Sequence, residues 1–443
     1  MLKRKILKDL IEWKNKANHK SLIVTGQRQI GKTFVIDQMF SKEYKSYISF
    51  NFVLQEDAKE IFSGNLDIDT IINNIKAYSP SNKIIENDTL ILLDEIQECE
   101  NAIVALKTFT EDGRFDVVAM GSSLGINYSS KKSYPVGKVE YLNMYSLSFE
   151  EFLWALNVDE TLISELKKYY DEKKRIPEVL DRKMWEYLRL YMVVGGMPEI
   201  VEEYVNNKDL STVHAIQNRL LSDYSKDIAR FANGSEKIKA QKCYETIALQ
   251  LSKENHKFQY KEIESKATST KFFSSVDWLR NQLLVIKVNN LKCIDYPLEY
   301  YQDADNFRLY PTDIGMLIGR YEESIKKSII NDRKIEAPSS SLLLRSAKGG
   351  LYEALAADIL YKNGHSKIYF YKHEKSTSEV EFVIQKGDDI LPIEIKAGRE
   401  KANSLKNILN DNEIIRYGYK MSSNNIGINN KLLTMPLYLL MFV

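Results

Sequence analysis

Short apolar runs separated by helix-like segments characterise the first 123 residues. Each run is bounded by polar residues, and the text between the runs has the spacing of amphipathic helices. This alternation predicts buried parallel strands joined by crossover helices, the pattern of an α/β domain. Apolar residues at helical spacing in residues 1–16 predict a helix packed on that sheet. The four runs are SLIVT (21–25), YISFNF (47–52), TLILLDE (89–95) and FDVVAMGSS (115–123).

Two further patterns follow along the chain. Helical spacing extends from about 149 to 233 and is interrupted at Gly195, Gly196 and Pro198. Beyond it, three helix-like segments and two short strands, VIKVNN and FRLY, predict a winged helix. A polar stretch at 335–341 is the best linker candidate, and a helix, three strands, another helix and two more strands come after it. The predicted domains are therefore 1–150, 151–235, 236–335 and 342–443.

Composition narrows the classes of function. Among 443 residues, 62 lysines and arginines almost cancel 61 acidic residues, so a nucleic-acid surface has to be a local patch. No apolar run approaches the ~18 residues of a membrane span, and the first residues do not resemble a signal peptide, which predicts a cytoplasmic location without membrane contact. Three distant cysteines and five histidines without HxxxH spacing argue against disulfides and structural zinc.

A phosphate-binding loop directly follows the first strand. GQRQIGKT fits the pattern G-x-x-x-x-G-K-[ST] between a strand and a helix, which is the context that this motif requires. Its backbone N–H groups would surround phosphates, Lys32 would reach the β and γ phosphates, and Thr33 would ligate Mg²⁺. We therefore predict that the chain binds ATP and Mg²⁺. The predicted nucleotide-binding residues are Gly26, Gln27, Arg28, Gln29, Ile30, Gly31, Lys32 and Thr33.

Acidic and polar residues follow two other strands of the predicted sheet. Asp94 and Glu95 end TLILLDE, at the edge where the phosphate loop lies. We expect Asp94 to hold the water shell of Mg²⁺ and Glu95 to polarise the water that attacks the γ phosphate. Ser123 ends the next run and is a candidate sensor of the γ phosphate, although a Gly-Ser-Ser turn is also common in loops.

Several motifs, taken in order, resemble one family. GQRQIGKT, LLDEIQ, GSSLGI, SYPVGKVEYLNMYSLSFEEFLWAL and GGMPEIVEEY are similar to bacterial and archaeal AAA-type ATPases that carry the domain DUF4143. Later segments, including RLYPTDIGML and EVEFVIQ followed by LPIEIKAG, extend the resemblance over nearly the whole chain. It implies a P-loop sheet of the additional-strand, catalytic-glutamate type, a helical lid, a winged helix and a C-terminal nuclease-like α/β domain.

The resemblance also bears on Pro198. In related ATPases a Gly-x-Pro element of the lid lies near the nucleotide, and Gly196-Met197-Pro198 matches it. The same residues are equally well explained as a helix breaker between two lid helices.

The C-terminal domain contains a second constellation. Glu394 and Lys396 alternate on one strand and therefore share a face, Glu381 lies on the preceding strand, and Glu353 lies on a helix. This set resembles the PD-(D/E)XK nuclease arrangement, in which carboxylates hold Mg²⁺ and the lysine stabilises charge. A cross-strand ion pair between Glu381 and Lys396 is the competing interpretation. Relatives usually have aspartate where this chain has Glu381.

These features predict a Mg²⁺-dependent ATPase that acts on or near DNA. The helix around Lys271 and Arg280 could enter a DNA groove, or the winged helix could serve only as a contact surface. The alternative function is a nucleotide-regulated signalling scaffold whose nuclease-like domain is inactive and binds a partner. A second copy of the chain and an unidentified protein are the other candidate partners.

Overall fold

The computed structural model describes residues 1–121, 137–231, 236–253, 255–265, 267–331, 342–373, 378–396 and 401–443. Within them the chain forms two compact units, with 3–146 in the first and 147–443 in the second. Ser123 lies outside the described residues. No helix of the described part combines the length and apolar character that a membrane span needs.

A parallel sheet is the basis of the first unit. Among the described residues its strand order is β2-β3-β4-β1-β5, and all neighbouring strands are parallel. This sheet confirms the predicted α/β fold class. Its strands are β1 (Ser21–Thr25), β2 (Ser46–Asn51), β3 (Thr89–Asp94), β4 (Asp116–Met120) and β5 (Val139–Asn143); its helices are α1 (Ile6–Asn15), α2 (Lys32–Gln38), α3 (Ile68–Tyr78) and α4 (Glu100–Asp112).

Burial explains why these segments form this sheet. All six residues of β3 are buried, as expected for a central strand covered on both faces. Ile91 and Leu93 of β3 pack in one core with Ile75 of α3 and Phe109 of α4. Burying each such side chain contributes roughly 1.5 to 3 kcal/mol relative to leaving it exposed. The parallel order brings the carboxyl ends of β1, β2 and β3 to one edge.

The fifth strand was not expected from the hydrophobic pattern. None of the residues of β5 is buried, and Tyr141 is 49% exposed. β5 is held as an edge strand by its parallel register with β1, from Ser21 opposite Val139 to Thr25 opposite Asn143. An edge strand of this kind lacks the apolar run by which the other four strands were identified.

The second unit begins with helices, as predicted for its middle region. The helices of this unit are α5 (Phe149–Ala155), α6 (Glu160–Glu172), α7 (Glu178–Val194), α8 (Pro198–Asn207), α9 (Leu210–Phe231), α10 (Glu236–Leu251), α11 (Ser269–Asn281), α12 (Ile314–Ile318), α13 (Glu323–Asn331), α14 (Leu342–Lys362) and α15 (Asn403–Asp411).

The strands of the second unit form one mixed sheet. In the described part of the unit its order is β12-β13-β11-β10-β9-β8-β6-β7. The strands are β6 (Val285–Leu291), β7 (Gln302–Pro311), β8 (Tyr369–Lys372), β9 (Glu379–Lys386), β10 (Asp389–Ile395), β11 (Gly418–Ser422), β12 (Gly427–Asn429) and β13 (Leu432–Pro436). After α15 we had expected two strands, and the third, β12, is a three-residue exposed edge strand.

The hairpin expected for a winged helix belongs to this larger sheet. β6 and β7 pair antiparallel, and α10 and α11 precede them in the predicted order. The segment between these two helices was predicted as a third helix but forms only a 3₁₀ turn at Tyr260–Glu262. In addition, residues 289–291 of β6 pair in parallel with residues 369–371 of β8. The sheet therefore continues across the predicted linker at 335–341, and the winged-helix assignment stays a prediction.

A buried lysine connects three elements of the second unit. Lys362 Nζ, at the end of α14, lies 2.8 Å from Asp358 Oδ1 and 3.0 Å from Asp313 Oδ2, and the Lys362 side chain is 1% exposed. Tyr191 of α7 donates a hydrogen bond to Asp358 Oδ2 at 2.7 Å. Since breaking a buried pair leaves an uncompensated charge, these residues hold α7, α12 and α14 in one arrangement.

Candidate functional site

The phosphate loop connects β1 and α2 with a tightly constrained backbone. Gly26 has φ 155°, and a Cβ there would lie 2.4 Å from the carbonyl oxygen of Met144. Gly31 has φ 85°, in the left-handed region, and directly precedes α2. Arg4 Nη1 donates to the carbonyl oxygen of Ile30 at 2.9 Å, and the Ile30 side chain is fully buried. Glycine is therefore required at both ends of the loop, and the segment before α1 anchors the loop between them.

Lys32 lies against the loop it follows. Its Nζ donates to the carbonyl oxygens of Gly26 at 2.8 Å and Gln27 at 2.6 Å. Burial lowers the pKa of Lys32 to about 8, although Glu95 and Asp94 oppose this effect electrostatically. The ammonium group is therefore positioned at the mouth of the loop, within electrostatic range of both carboxylates.

Asp94 is bonded by neutral donors at the carboxyl end of β3. Its Oδ2 accepts hydrogen bonds from Thr33 Oγ1 at 3.2 Å and from Asn51 Nδ2 at 3.1 Å. Burial raises the pKa of Asp94, and the neighbouring charge of Glu95 acts in the same direction. A hydroxyl and a carboxylate at this separation are the oxygen ligands that Mg²⁺ prefers. Thr33 and Asp94 therefore fit a magnesium ion.

Glu95 has an unusual backbone conformation and a defined partner. Its φ is 51°, in the left-handed region, between β3 and a single 3₁₀ turn. Its Oε2 accepts a hydrogen bond from Gln97 Nε2 at 2.5 Å. Gln97 was not predicted as a site residue. The only signal for it was its place in LLDEIQ, two residues after Glu95.

The lid proline lies in the second unit. Pro198 is the first residue of α8, where its fixed φ suits a helix start. The preceding Gly196 donates its N–H to Asp313 Oδ2 at 3.0 Å. A Cβ on Gly195 would lie 2.6 Å from Gly315 Cα, so this turn needs glycine for close packing. These contacts account for the Gly-Gly-x-Pro sequence within its own unit, and the nucleotide contact of Pro198 stays a prediction.

The structure brings together three of the predicted C-terminal residues. Lys396 Nζ lies 2.9 Å from Glu394 Oε1 and 3.9 Å from Glu381 Oε1. Glu381 Oε2 accepts the Ile395 N–H at 2.9 Å, and Glu394 Oε2 accepts the Leu405 N–H at 3.3 Å. Glu394 is 1% exposed. Both carboxylates are thus paired with one lysine and with backbone donors.

The fourth predicted residue, Glu353, is held by side chains that the sequence did not indicate. Arg308 Nη1 and Tyr310 OH each donate to Glu353 Oε2 at 2.9 Å, and His256 Nδ1 lies 2.8 Å from Glu353 Oε1. Arg308 also bonds Glu379. Arg308 and Tyr310 belong to the RLYPTDIGML segment, but that segment gave no sign of a contact with Glu353, and His256 lies in no motif. Below, the carboxylate cluster means eight residues: His256, Arg308, Tyr310, Glu353, Glu379, Glu381, Glu394 and Lys396.

Electrostatic effects differ among the carboxylates of the cluster. Burial raises the pKa of Glu381 to about 7, with the charge of Glu353 acting in the same direction. Burial also acts on Glu353, but Arg308 and His256 outweigh it and lower the pKa of Glu353. Glu353 is thus stabilised as an anion, whereas Glu381 gains or loses its proton near physiological pH.

The acidic side chains of the carboxylate cluster already have partners within the protein. Within the described residues, no group of three or more acidic, histidine or cysteine side chains is arranged as metal ligands. The oxygens of Glu353 and Glu394 already face cations or backbone donors. A divalent ion at the cluster would have to displace these partners.

The basic residues predicted to meet DNA have acidic neighbours. Lys271 and Lys242 both pair with Glu264, the latter at 3.2 Å. Arg280 Nη2 lies 3.6 Å from Asp277 Oδ1. The face of α11 therefore presents locally balanced charge.

Comparisons with known proteins divide the chain into three parts. Residues 18–153 match the family model of an AAA domain, residues 186–321 match a domain of unknown function, DUF8612, and residues 348–440 match another, DUF4143. An uncharacterized protein of Methanocaldococcus jannaschii is 26% identical over 232 residues, which cover 49% of this chain and 47% of that protein. The match therefore spans about half the length of this curated relative.

Solved structures resemble the chain only distantly. A Walker-type ATPase of Pyrococcus abyssi is 11% identical with a TM-score of 0.42, and the match covers 72% of this chain and 96% of that one. The AMPPCP-bound DnaA from Aquifex aeolicus is 13% identical with a TM-score of 0.27, and the match covers 63% of this chain and 87% of that one.

Proposed function

Since the chain carries an AAA domain at its N-terminus and a DUF4143 domain at its C-terminus, as its sequence predicted, we propose that it hydrolyses ATP with Mg²⁺. The observation that carries this proposal is the contact of 3.2 Å between Thr33 and Asp94, beside Lys32 and directly before Glu95. These four side chains supply a phosphate cation, two metal ligands and a water-polarising carboxylate at one sheet edge.

Each residue has a distinct role in the proposed reaction. The loop from Gly26 to Gly31 donates backbone N–H groups to the phosphates, and Lys32 adds positive charge at the β and γ phosphates. When bound, Mg²⁺ neutralises developing charge on the phosphate oxygens. Thr33 and Asp94 would hold this ion. Ser123 is proposed to sense the γ phosphate, and Pro198 to contact the nucleotide.

Glu95 acts on the attacking water. The water oxygen bonds to the γ phosphorus while the bond from that phosphorus to the bridging oxygen breaks, and the electron pair of that bond leaves with ADP. Glu95 orients the water through a hydrogen bond and takes up the proton that leaves the attacking oxygen.

Two variants test this proposal. Lys32→Ala should abolish tight ATP binding, because it removes the phosphate cation. Glu95→Gln should still bind ATP but hydrolyse it at least ~100-fold more slowly, because the phosphate cradle is intact. Binding is measured by calorimetry and turnover by phosphate release. Lys107→Ala, an exposed lysine of α4, is the matched control. Wild-type turnover in Glu95→Gln would exclude its assigned role.

For the C-terminal domain we propose partner binding without DNA cleavage. Arg308, His256 and Lys396 neutralise the carboxylates that a nuclease would use for metal binding. The whole chain would then be a nucleotide-regulated scaffold whose C-terminal domain binds the partner. The test of ATP regulation is steady-state turnover without DNA and then with single-stranded, duplex or branched DNA. Stimulation by one DNA form would identify DNA as the regulating partner.

Magnesium-dependent cleavage is the second candidate, because Glu381, Glu394 and Lys396 do meet at one point. The assay combines purified protein, Mg²⁺ or Mn²⁺ and a panel of DNA forms. We expect both wild type and Glu394→Gln to leave all forms intact. Cutting by wild type that is lost in Glu394→Gln, with ATP hydrolysis unchanged, would establish the nuclease.

A further inference from the structure

Gln97 lies in a turn that returns the chain toward Glu95. Residues Ile96–Glu98 form a 3₁₀ turn, in which the Glu98 N–H bonds the Glu95 carbonyl oxygen at 3.0 Å. Ile96 and Cys99, on either side of Gln97, are 2% and 6% exposed and belong to the core of the unit. Because Ile96 and Cys99 are anchored in this core, the position of Gln97 between them is well constrained.

The contact between Gln97 and Glu95 has only one chemically reasonable orientation. An ionised carboxylate accepts hydrogen bonds and donates none, so the Gln97 amide nitrogen must face Glu95 Oε2, as the 2.5 Å contact has it. The amide oxygen then points away. Gln97 Oε1 is buried and has no hydrogen-bond partner within the part of the chain that the structure describes.

This arrangement is unfavourable for Gln97 itself. Leaving a buried acceptor unpaired has a free-energy cost, and such groups in native proteins call for an explanation. The left-handed backbone of Glu95, φ 51°, is a second strained feature of the same turn. Two such features next to a carboxylate at the phosphate edge are typical of a functional site, where geometry is maintained at the expense of stability.

We propose that Gln97 is a positioning residue for ATP hydrolysis, which holds the Glu95 carboxylate by its Oε2 and leaves Oε1 to meet the attacking water. The proposal rests on the proposed function of Glu95. Lys32 and Asp94 also act on Glu95 electrostatically, but among the described residues neither donates a hydrogen bond to its carboxylate oxygens. Gln97 is therefore the side chain that sets the direction of the carboxylate.

Gln97→Met separates this role from a structural one. Methionine has nearly the same length but neither amide nitrogen nor oxygen, so the variant loses the contact to Glu95 and also the unpaired acceptor. We expect kcat to fall ~10- to 100-fold, the range for a misdirected general base, while the Kd for ATP stays unchanged. The thermal unfolding midpoint should stay the same or rise, because a buried unpaired oxygen has been removed.

The experiment compares wild type, Glu95→Gln, Gln97→Met, Gln97→Glu and the exposed control Glu98→Gln. It measures single-turnover hydrolysis, ATP affinity and thermal unfolding. Gln97→Glu keeps the length of the side chain but repels Glu95, so it should also lose single-turnover rate at unchanged ATP affinity. Glu98→Gln should match wild type.

The outcomes distinguish this inference from the proposed function. If wild type hydrolyses ATP, Glu95→Gln does not, and both Gln97 variants match wild type, the inference on Gln97 is wrong and the function of Glu95 stands. If wild type shows no hydrolysis, both are wrong. Loss of ATP affinity in parallel with kcat in both Gln97 variants would assign Gln97 a structural role and also overturn the inference.

Discussion

The phosphate edge of the first unit and the carboxylate cluster of the second unit both bury acidic side chains, but they satisfy them differently. Asp94 is 9% exposed and accepts hydrogen bonds from the neutral groups of Thr33 and Asn51. Glu353 is 6% exposed and meets the guanidinium of Arg308. The first arrangement leaves anionic charge for a cation that arrives with a ligand, whereas the second provides its own cations.

The phosphate edge is therefore suited to bind a metal ion, whereas the carboxylate cluster is suited to stabilise the fold of its unit. A buried carboxylate bonded only by neutral groups retains affinity for a divalent ion, because no cation of the protein neutralises it directly. A buried carboxylate with a matched cation contributes instead to a single arrangement of the surrounding elements, and removing one partner is costly. Mutation at the phosphate edge should therefore mainly affect metal dependence, whereas mutation in the carboxylate cluster should mainly affect stability.

The largest expected effect is on the stability of the second unit. Arg308→Met should destabilise it by ~3 to 5 kcal/mol, because Glu353 and Glu379 lose their buried cation. Urea unfolding followed by circular dichroism measures the change. Arg114→Met is the matched control, since Arg114 pairs with three acidic residues at the surface and should have a much smaller effect. Equal losses in the two variants would contradict the comparison.

The next effect concerns metal dependence. Asp94→Asn should raise the Mg²⁺ concentration for half-maximal ATP hydrolysis by ~10- to 100-fold, because a ligand-shell carboxylate has lost its charge. Titrating Mg²⁺ at saturating ATP measures this shift. Glu394→Gln should leave the Mg²⁺ dependence unchanged. If Glu394→Gln shifted it as well, the carboxylate cluster would have a metal role that its contacts do not predict.

A smaller effect concerns pH. Burial raises the pKa of Glu381 from its ordinary value of 4.5 to about 7. The folded protein thus binds this proton more tightly than the unfolded chain, so the contribution of Glu381 to stability is lost as pH rises through this window. Glu381→Gln should therefore lose less stability than wild type between about pH 5 and about pH 8, by roughly 2 to 3 kcal/mol. Parallel pH profiles of the unfolding midpoint would show that Glu381 does not titrate there.

The smallest effect is expected at the predicted DNA surface. Lys271 and Arg280 already pair with acidic residues, so they release few counterions on meeting a phosphate. Reversing both charges should change the salt slope of duplex DNA binding by less than about 1, where two lost phosphate contacts would change it by about 2. Fluorescence anisotropy at several salt concentrations measures the slope. A change of about 2 would assign α11 to the DNA interface.

Short-range sequence patterns were sufficient to predict most of the fold of the first unit. Four of its strands are apolar because they are buried, and the phosphate loop is recognisable because glycine and lysine must occupy particular positions. β5 was missed because none of its residues is fully buried, and its place in the sheet depends on pairing with β1. Gln97 was missed as a site residue because its contact depends on the left-handed conformation of Glu95, which no sequence pattern indicates.

Long-range pairing limited the prediction for the second unit. Strand alternation correctly placed Glu394 and Lys396 on one face. It could not reveal Arg308, which reaches Glu353 from 45 positions away and gives this carboxylate a buried cation as its partner. The separation of a winged helix from a nuclease-like domain followed local element order, whereas the sheet that spans both depends on β6 meeting β8.

The pairing of β6 with β8 has a practical consequence. A chain cut between residues 332 and 341 would yield an N-terminal fragment that contains the β6–β7 hairpin and a C-terminal fragment that contains β8. Each would lack the strand that completes its sheet, since residues 289–291 and 369–371 pair across the cut. Expressed together, the two fragments should associate and restore the sheet, as the halves of a split protein do. A fragment that carries only the DUF4143 region would expose β8 as an unpaired edge strand, which could pair with strands of other chains and cause aggregation.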